Sequence, residues 1–268
     1  MKICIVNVSE WVEGFHDVWF GQMKESFRKV LRPETEVVIK SIKCGLRGDN
    51  PLDFANVYFT HLNKREVVEV IIQAEKEGFD AAVVGCFDDW GVNESKAVVD
   101  MPVIGPGEST MLFACQLGRK FAVIVANMPG LIAQIEEQIR QHCLQDRVIP
   151  NPVRFDVHAF TETWEKGLQD PKFVADGVVK QARELVTEGA DVIVVGCCGI
   201  GPFCSVAGLS KVKVGERDIP ILDPMMVAMK SAEMAVDLKK GIGLPFTNMA
   251  LPSEEDFRRV RALFGLPA

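Results

Sequence analysis

Two cysteines stand at the same point of a phrase that the chain contains twice. The segment DAAVVGC runs from Asp80 to Cys86, and DVIVVGC runs from Asp191 to Cys197. Each copy joins an acid, four apolar residues, a glycine and a cysteine, and such short apolar runs are typical of strands buried on both faces. Ligands of open α/β sheets bind at the carboxyl ends of the strands. The repeat therefore predicts two equivalent strands that each bring a thiol to a ligand-binding edge.

The glycines beside these cysteines indicate what the thiols could do. Gly85 precedes Cys86, while Gly196 and Gly199 flank Cys197–Cys198, and glycines let backbone N–H groups approach a ligand closely. Unpaired N–H groups at a strand end that leads into a helix favour an anion, so we expect the pKa of each thiol to be lowered. The same amides would hold a carbonyl or carboxylate and stabilise the enolate formed beside it.

Two thiols on opposite walls of a cleft suit a reaction that removes a proton from one face of a carbon and returns another on the opposite face. The predicted chemistry is racemisation or epimerisation of a small carbonyl compound without a cofactor. Plain packing is the alternative, because cysteine behaves as a small buried hydrophobe. The packing role is assigned to Cys4, Cys44, Cys115 and Cys143. Cys197, Cys198 and Cys204 lack the spacing of ordinary zinc sites, so no metal is expected.

Polar residues near the first repeat are further candidates for substrate binding. Asp88 and Asp89 lie just past the first cysteine of the pair, and Glu108 and Ser109 follow the turn in PVIGPGEST. Each of these side chains could orient a substrate or cap the start of a helix. Both interpretations stay open on the sequence alone.

Other motifs narrow the class of protein by their absence. The dinucleotide-binding, P-loop, serine-hydrolase and zincin motifs do not occur in the sequence, and its four histidines show no ligand pairing. His16 is interpreted as a surface or capping residue and Trp90 as loop packing, and a position in the pocket is the alternative for each of them.

Composition limits the partners. The 268-residue chain has a formal net charge of −7 and no basic run, so we expect no nucleic-acid partner and a small-molecule substrate. No stretch reaches the roughly 20 apolar residues that span a bilayer, so no membrane segment is expected. We place the protein in the cytoplasm, where its eight cysteines would be reduced.

Strand and helix patterns alternate along the chain. Strands are predicted at 2–8, 36–43, 80–86, 102–104, 120–127, 153–160, 191–197 and 219–222. Helices are predicted at 14–31, 64–78, 107–118, 129–142, 172–189 and 224–240, with loops at 44–53 and 161–171. This alternation favours an α/β fold with mainly parallel sheets flanked by helices, and the repeat favours two halves facing each other across an active-site cleft.

The segments around both cysteines resemble the aspartate/glutamate/hydantoin racemase superfamily, and within it the hydantoin/allantoin racemase branch. The similarity lies in GCFDDWGVNESKA with MPVIGPGEST, and in VIVVGCCGI with IPILDPMMVAMKSAE. It implies that Cys86 and Cys197 occupy two catalytic thiol positions, that no cofactor is used, and that the protein is a homo-oligomer. It also implies two pseudo-symmetric domains, one inserted in the other, which we place at residues 1–104 plus 224–268 and at 105–223.

The residues after each cysteine bear on the substrate. Glutamate and aspartate racemases of the superfamily typically continue with C-N-T and with C-T-H or C-T-E. Here Phe87 and Asp88 follow the first cysteine and Cys198 and Gly199 the second, which disfavours free acidic amino acids. These residues would contact the substrate together with Asn7, which stands where the branch has N-P-N. The resemblance implies a hydantoin- or allantoin-like substrate; an amino-acid racemase, a maleate-type isomerase, a malonate decarboxylase and a non-catalytic binding module are the alternatives.

Overall fold

The structure, a computed structural model, describes residues 1–47, 51–247 and 250–267, apart from the side chains of Phe15 and Pro51. One sheet contains β1 (Lys2–Asn7), β2 (Glu36–Ser41), β3 (Ala81–Val84) and β4 (Val103–Ile104). A second sheet contains β5 (Phe121–Val125), β6 (Val148–Phe155), β7 (Val192–Val195), β8 (Lys211–Val214) and β9 (Arg217–Leu222). The helices are α1 (Phe15–Phe27), α2 (Val57–Lys76), α3 (Val92–Lys96), α4 (Pro106–Leu117), α5 (Leu131–Gln141), α6 (Phe160–Gly167), α7 (Pro171–Thr187), α8 (Ile200–Val206), α9 (Pro224–Ile242) and α10 (Glu254–Leu263).

Both sheets are mainly parallel. The strand order is β2-β1-β3-β4 in the first sheet and β6-β5-β7-β9-β8 in the second, and only the β8–β9 pair is antiparallel among the strands of the described residues. The predicted fold class, mainly parallel α/β sheets with flanking helices, is confirmed. The domain boundaries at 104/105 and 223/224 stay a prediction.

The repeated phrase folds into two equivalent strands. β3 and β7 are each four residues long and fully buried, which is why their sequences are continuous apolar runs. The glycine after each strand continues the pairing with the neighbouring strand. The N–H of Gly85 donates to the carbonyl of Val6 at 2.8 Å, and the N–H of Gly196 donates to the carbonyl of Ile124 at 2.7 Å. The next residue in each copy is the cysteine.

Local sequence signals explain where several helices begin. Asp170 and Asp223 are the N-cap residues of α7 and α9, and each carboxylate accepts a backbone N–H of the first turn. Proline occupies the first turn of α4, α7 and α9, where its missing N–H costs no helix hydrogen bond. These helices agree with the predicted ones to within a few residues.

The prediction is wrong between residues 153 and 171. β6 covers Val148–Phe155 rather than 153–160, and α6 occupies much of the segment predicted as a loop. The strand ends where backbone N–H groups of Val157 and His158 turn back to the carboxylate of Asp156. α6 has only eight residues, too few for a clear helical period in the sequence, and it is stabilised by tertiary packing of its aromatic side chains.

Other differences concern short or terminal elements. The helices α3, α8 and α10 and the antiparallel strand β8 were not predicted, and α2 begins at Val57 instead of residue 64. An asparagine cap explains this early start, because the Asn56 side chain accepts the N–H groups of Tyr58 and Phe59. Part of the predicted loop 44–53, residues 48–50, lies outside the described residues.

Candidate active site

A cavity of about 380 Å³ lies at the carboxyl ends of strands from both sheets. β1 and β3 lead into one part of its wall and β5 and β7 into another, and α1, α5 and α6 contribute further lining residues. The residues that line it are Asn7, Val8, Ser9, His16, Trp19, Phe54, Gly85, Cys86, Phe87, Asp88, Trp90, Ala126, Met128, Leu131, Ile135, Phe160, Thr161, Trp164, Glu165, Gly196, Cys197, Cys198 and Gly199. Both cysteines of the repeat are therefore in one cavity, as the predicted cleft between strand ends requires.

Close packing requires a glycine at the position before each cysteine. A Cβ on Gly85 would lie 2.9 Å from the carbonyl oxygen of Val6, and one on Gly196 would lie 2.4 Å from Cγ1 of Val123. Real Cβ atoms essentially never approach so closely, so a side chain would push the strands apart. Glycine thus lets each strand end stay paired with its neighbour while the next residue delivers its thiol to the cavity.

The ionisation of the two thiols is governed by burial. Burial raises the pKa of Cys86 well above its usual range, and the charge of Asp88 raises it further. Burial also raises the pKa of Cys197, although the backbone N–H groups of Ile200 and Gly199 bond to its sulfur and lower it. The expected lowering of both pKa values is therefore wrong. The N–H donors are present as predicted, but the loss of water around a thiolate outweighs them.

Two consecutive aspartates have different surroundings. Burial raises the pKa of Asp88 to about 6, and the Trp90 side chain, whose indole N–H donates to the carboxylate, lowers it. Asp88 lines the cavity, whereas Asp89 is not among the described lining residues. The backbone N–H groups of Gly107 and Glu108 donate to Asp89 at 2.8 and 2.7 Å. These hydrogen bonds connect the loop that follows Cys86 to the start of α4. Burial raises the pKa of Asp89 to about 7.

The other predicted substrate contacts divide into two groups. Asn7, Phe87, Cys198 and Gly199 line the cavity with the two thiols. Glu108 and Ser109 are not among the described lining residues. Glu108 forms an ion pair with Lys96 at 3.1 Å, and the Ser109 hydroxyl donates to the carbonyl of Gly105 at 2.7 Å. In this structure both side chains stabilise the first turn of α4.

His16 and Trp90 line the cavity, which was the alternative and not the main interpretation from the sequence. His16 is only 4% exposed, and burial lowers its pKa, which favours the neutral imidazole. Its Nδ1 accepts the N–H of Val12 at 2.8 Å, and its Nε2 lies 3.2 Å from the hydroxyl of Ser9. The helical spacing of α1 was visible in the sequence. The direction in which His16 points was not, because it depends on how α1 packs.

α6 supplies cavity residues that sequence reasoning missed. Thr161, Trp164 and Glu165 come from the segment predicted as a loop, and Phe160 comes from the end of the strand predicted at 153–160. The one signal that could have suggested them is the i, i+4 spacing of Phe160 and Trp164, which places both rings on one helical face. The rings meet edge to face with centroids 6.0 Å apart.

Two of the four cysteines that were assigned a packing role do not have it, whereas Cys115 is partly buried against the core. Cys4 is buried as expected, but Cys44 and Cys143 are exposed, so that assignment is wrong for both. All eight cysteines lie in the described chain and carry free thiols. Within the described residues, no group of three or more histidine, cysteine or acidic side chains is arranged to hold a metal ion. The described helices likewise include none with the length and apolar character needed to cross a bilayer.

Comparison with known proteins places this architecture in a family. The profile of the family described as Asp/Glu/Hydantoin racemase matches residues 22–232. A hydantoin racemase of Pseudomonas sp. (strain NS671) is 27% identical over 245 residues, covering 90% of this chain and 88% of that protein. The structure of an allantoin racemase from Klebsiella pneumoniae is similar with a TM-score of 0.73, at 19% identity, over 95% of this chain and 94% of that one. For an allantoin racemase from Pseudomonas fluorescens the TM-score is 0.71, at 22% identity, over 94% and 97%.

The fold and the cavity define an α/β protein in which two mainly parallel sheets direct their strand ends, and one thiol each, toward a single site. The chain belongs to the Asp/Glu/hydantoin racemase family, and the proteins similar to it include hydantoin racemases. It is a racemase and therefore an isomerase.

Proposed function

We propose that this protein racemises a 5-substituted hydantoin, with Cys86 and Cys197 as the two acid/base groups and no cofactor. The observation that carries the proposal is the position of the two thiols, which come from equivalent points of two sheets and line the same cavity. The charge of Cys197 also raises the pKa of Cys86, as expected of neighbouring sulfur atoms.

The proposed reaction balances with these two groups alone. The thiolate of one cysteine removes the proton from C5, and the electron pair of the C–H bond moves into the adjacent carbonyl to give an enolate. The thiol of the other cysteine then donates its proton to the opposite face of C5. The first cysteine finishes as a thiol and the second as a thiolate, so the enzyme is ready for the opposite enantiomer.

Cys197 is the better candidate for the thiolate that starts the reaction. Two backbone N–H groups, from Ile200 and Gly199, bond to its sulfur, and its pKa is raised less far than that of Cys86. Cys86 receives one such bond, from the N–H of Asp88, and the Asp88 charge opposes its ionisation. The enantiomer whose C5–H faces Cys197 would therefore react directly with the resting enzyme.

The charge and polarity of the cavity favour a neutral ring with an apolar substituent. The described lining residues include no lysine or arginine, while Asp88 and Glu165 are acidic. A substrate carboxylate would have no cationic partner there and would be repelled by Asp88. A hydantoin ring is neutral, and apolar side chains such as Phe54, Met128 and Leu131 offer a surface for its substituent. Asn7, Phe87, Cys198 and Gly199 are proposed as further substrate contacts.

A deuterium experiment tests the two-thiol mechanism. Single enantiomers of 5-benzylhydantoin, allantoin, aspartate and glutamate are incubated with the protein in D2O. Optical rotation and deuteration of the stereocentre, which is C5 in the hydantoins and Cα in the amino acids, are followed against a blank without protein. Wild-type protein should racemise the hydantoin fastest and deuterate C5. Cys86→Ser and Cys197→Ser should each abolish racemisation, whereas each can still exchange the C5 proton of one enantiomer.

The matched control is Cys143→Ser, because Cys143 is exposed and is not among the described cavity residues. It should racemise like the wild type. Full racemisation by both Cys86→Ser and Cys197→Ser would refute the two-thiol mechanism. Racemisation of aspartate or glutamate in preference to every hydantoin would refute the proposed substrate. A cytoplasmic location and a homo-oligomeric state remain proposals from the sequence and the family resemblance.

A further inference from the structure

We propose that Trp164 determines substrate specificity by contacting the C5 substituent of one enantiomer, namely the one whose C5–H faces Cys86. This inference rests on the proposed hydantoin racemase function. It goes further by assigning a contact of the substituent to one residue on one wall of the cavity.

Trp164 lies directly against the loop that carries Cys197. The indole is on α6, is half-buried and lines the cavity. A Cβ on Gly199, two residues beyond Cys197, would lie 2.3 Å from Cζ2 and 2.6 Å from Cη2 of this ring. The benzene edge of the indole therefore occupies the space above the Gly199 backbone, on the Cys197 side of the cavity.

Neighbouring rings hold the indole in one orientation. Its centroid lies 6.0 Å from that of Trp19, 6.0 Å from that of Phe160 and 5.5 Å from that of Phe203, and all three contacts are edge to face. Such a cluster leaves few alternative rotamers without loss of contacts. The Trp164 ring therefore has a fixed position, and the size of a substrate group that fits beside it is limited.

The Cys86 side of the cavity has a different wall. Trp90 stacks on Phe54 with centroids 6.0 Å apart and planes 11° apart, and its indole N–H bonds to the carboxylate of Asp88. Each thiol thus has its own tryptophan. The two tryptophans differ in their partners and in orientation, so the two walls are not equivalent for a bulky group.

The C5 substituents of the two enantiomers point toward different sides of the cavity. The hydrogen and the substituent on C5 lie on opposite faces of the hydantoin ring. When the C5–H faces Cys86, the substituent leans toward the Cys197 side and Trp164. When the C5–H faces Cys197, the substituent leans toward Trp90. A change at Trp164 should therefore weaken the ground-state binding of one enantiomer more than that of the other.

The equilibrium constant of racemisation makes this effect measurable. Because the two enantiomers have equal free energy, kcat/KM must be the same in both directions for every variant. If Trp164 contacts only one enantiomer, a substitution at Trp164 changes the KM of that enantiomer more than the KM of its mirror image. The ratio of the two kcat values must then change by the same factor as the ratio of the two KM values. A purely structural defect would lower kcat in both directions and leave the KM ratio unchanged.

The experiment measures KM and kcat for both enantiomers of 5-benzylhydantoin and 5-methylhydantoin with wild-type protein, Trp164→Ala and Trp164→Phe. Proton exchange by Cys197→Ser in D2O identifies the enantiomer whose C5–H faces Cys86. For the benzyl form of that enantiomer, Trp164→Ala should raise KM roughly ten-fold relative to its mirror image, the scale of a lost apolar contact. Trp164→Phe should shift the KM ratio in the same direction by a smaller factor, and 5-methylhydantoin should respond little.

The control variant is Phe264→Ala, an aromatic truncation on the 73% exposed side chain that follows α10. It should leave all four KM values at the wild-type level. Unchanged KM ratios in both Trp164 variants, or a shift in favour of the opposite enantiomer, would overturn the role of Trp164 alone. Wild-type protein that racemises neither hydantoin would instead overturn the proposed function, so the two failures are distinct.

Discussion

Replacing Asp88 by asparagine should make both cavity thiols more acidic. Asp88 lines the cavity, and its negative charge raises the pKa of Cys86 and of Cys197. The indole N–H of Trp90 donates to the Asp88 carboxylate, and an asparagine oxygen can accept the same bond. The backbone N–H that bonds to the Cys86 sulfur is unaffected. The substitution therefore removes one charge with little change of shape.

The size of the effect follows from the charge that is lost. The pKa of Asp88 is about 6, so the carboxyl is mostly ionised at pH 8. A neighbouring charge commonly moves a pKa by roughly one to three pH units, and we expect the lower end because the burial of Cys86 and Cys197 is unchanged. Well below its pKa, the thiolate fraction rises about ten-fold for each pH unit by which the pKa falls. The increase should be larger at Cys86, where Asp88 is the largest cause after burial.

Alkylation rates give the readout. Iodoacetamide is applied at pH 8 and at pH 5, and each modified cysteine is quantified by peptide mass spectrometry, with exposed Cys143 as the reference in the same sample. In Asp88→Asn, Cys86 should react about ten-fold faster than in the wild type at pH 8. At pH 5 the ratio should return to about one, because the wild-type carboxyl is then protonated. Equal rates at pH 8, or an increase that persists at pH 5, would refute the electrostatic reasoning.

Two further substitutions test the packing and the ionisation around the site. Gly199→Ala places a Cβ 2.3 Å from the ring of Trp164, so it should destabilise the protein by about 1–3 kcal/mol in urea unfolding and lower kcat/KM. The control is Gly21→Ala, whose added Cβ would have no atom within 4 Å. Equal stability of the two variants would contradict this packing. Asp223→Asn keeps an acceptor for the start of α9 and a partner for the Ser205 hydroxyl, which lies 2.6 Å from the carboxylate. The folded pKa of Asp223 is about 6, above its ordinary value, so the wild type takes up a proton on folding and loses stability as pH rises from about 4 to 7. The variant should therefore gain up to about 3 kcal/mol relative to wild type across this window, and parallel curves of Tm against pH would contradict the assignment.

The sequence alone determined most of the architecture of the molecule. Continuous apolar runs such as those before Cys86 and Cys197 are typical of strands in a sheet covered on both faces, and their alternation with amphipathic helices favours parallel strands. Aspartate and proline mark the starts of α7 and α9 because capping depends on neighbouring backbone groups. The same local logic identified both cysteines, since a residue that follows a buried strand must lie at the sheet edge.

Elements that are stabilised by contacts between residues far apart in the chain could not be predicted from the sequence. α6 is too short for a helical period of its own, and it is stabilised by Trp164, whose ring contacts those of Trp19, Phe160 and Phe203. Glu108 was a predicted candidate for substrate binding, yet its carboxylate pairs with Lys96. Which side of a helix start faces the cavity depends on the packing of whole helices, and single-residue patterns carry no information about it.

The repeat ending in Cys86 and Cys197 predicted that each of these two thiols follows a buried strand at the edge of a sheet. This was possible because the positions and burial of strands follow from local hydrophobic patterns. The tertiary structure decided that both thiols line one cavity, that burial raises their pKa values instead of lowering them, and that α6 forms part of the wall. Those properties arise from the exclusion of water and from contacts between residues far apart in the chain. They exist only once the two sheets are assembled around a common space.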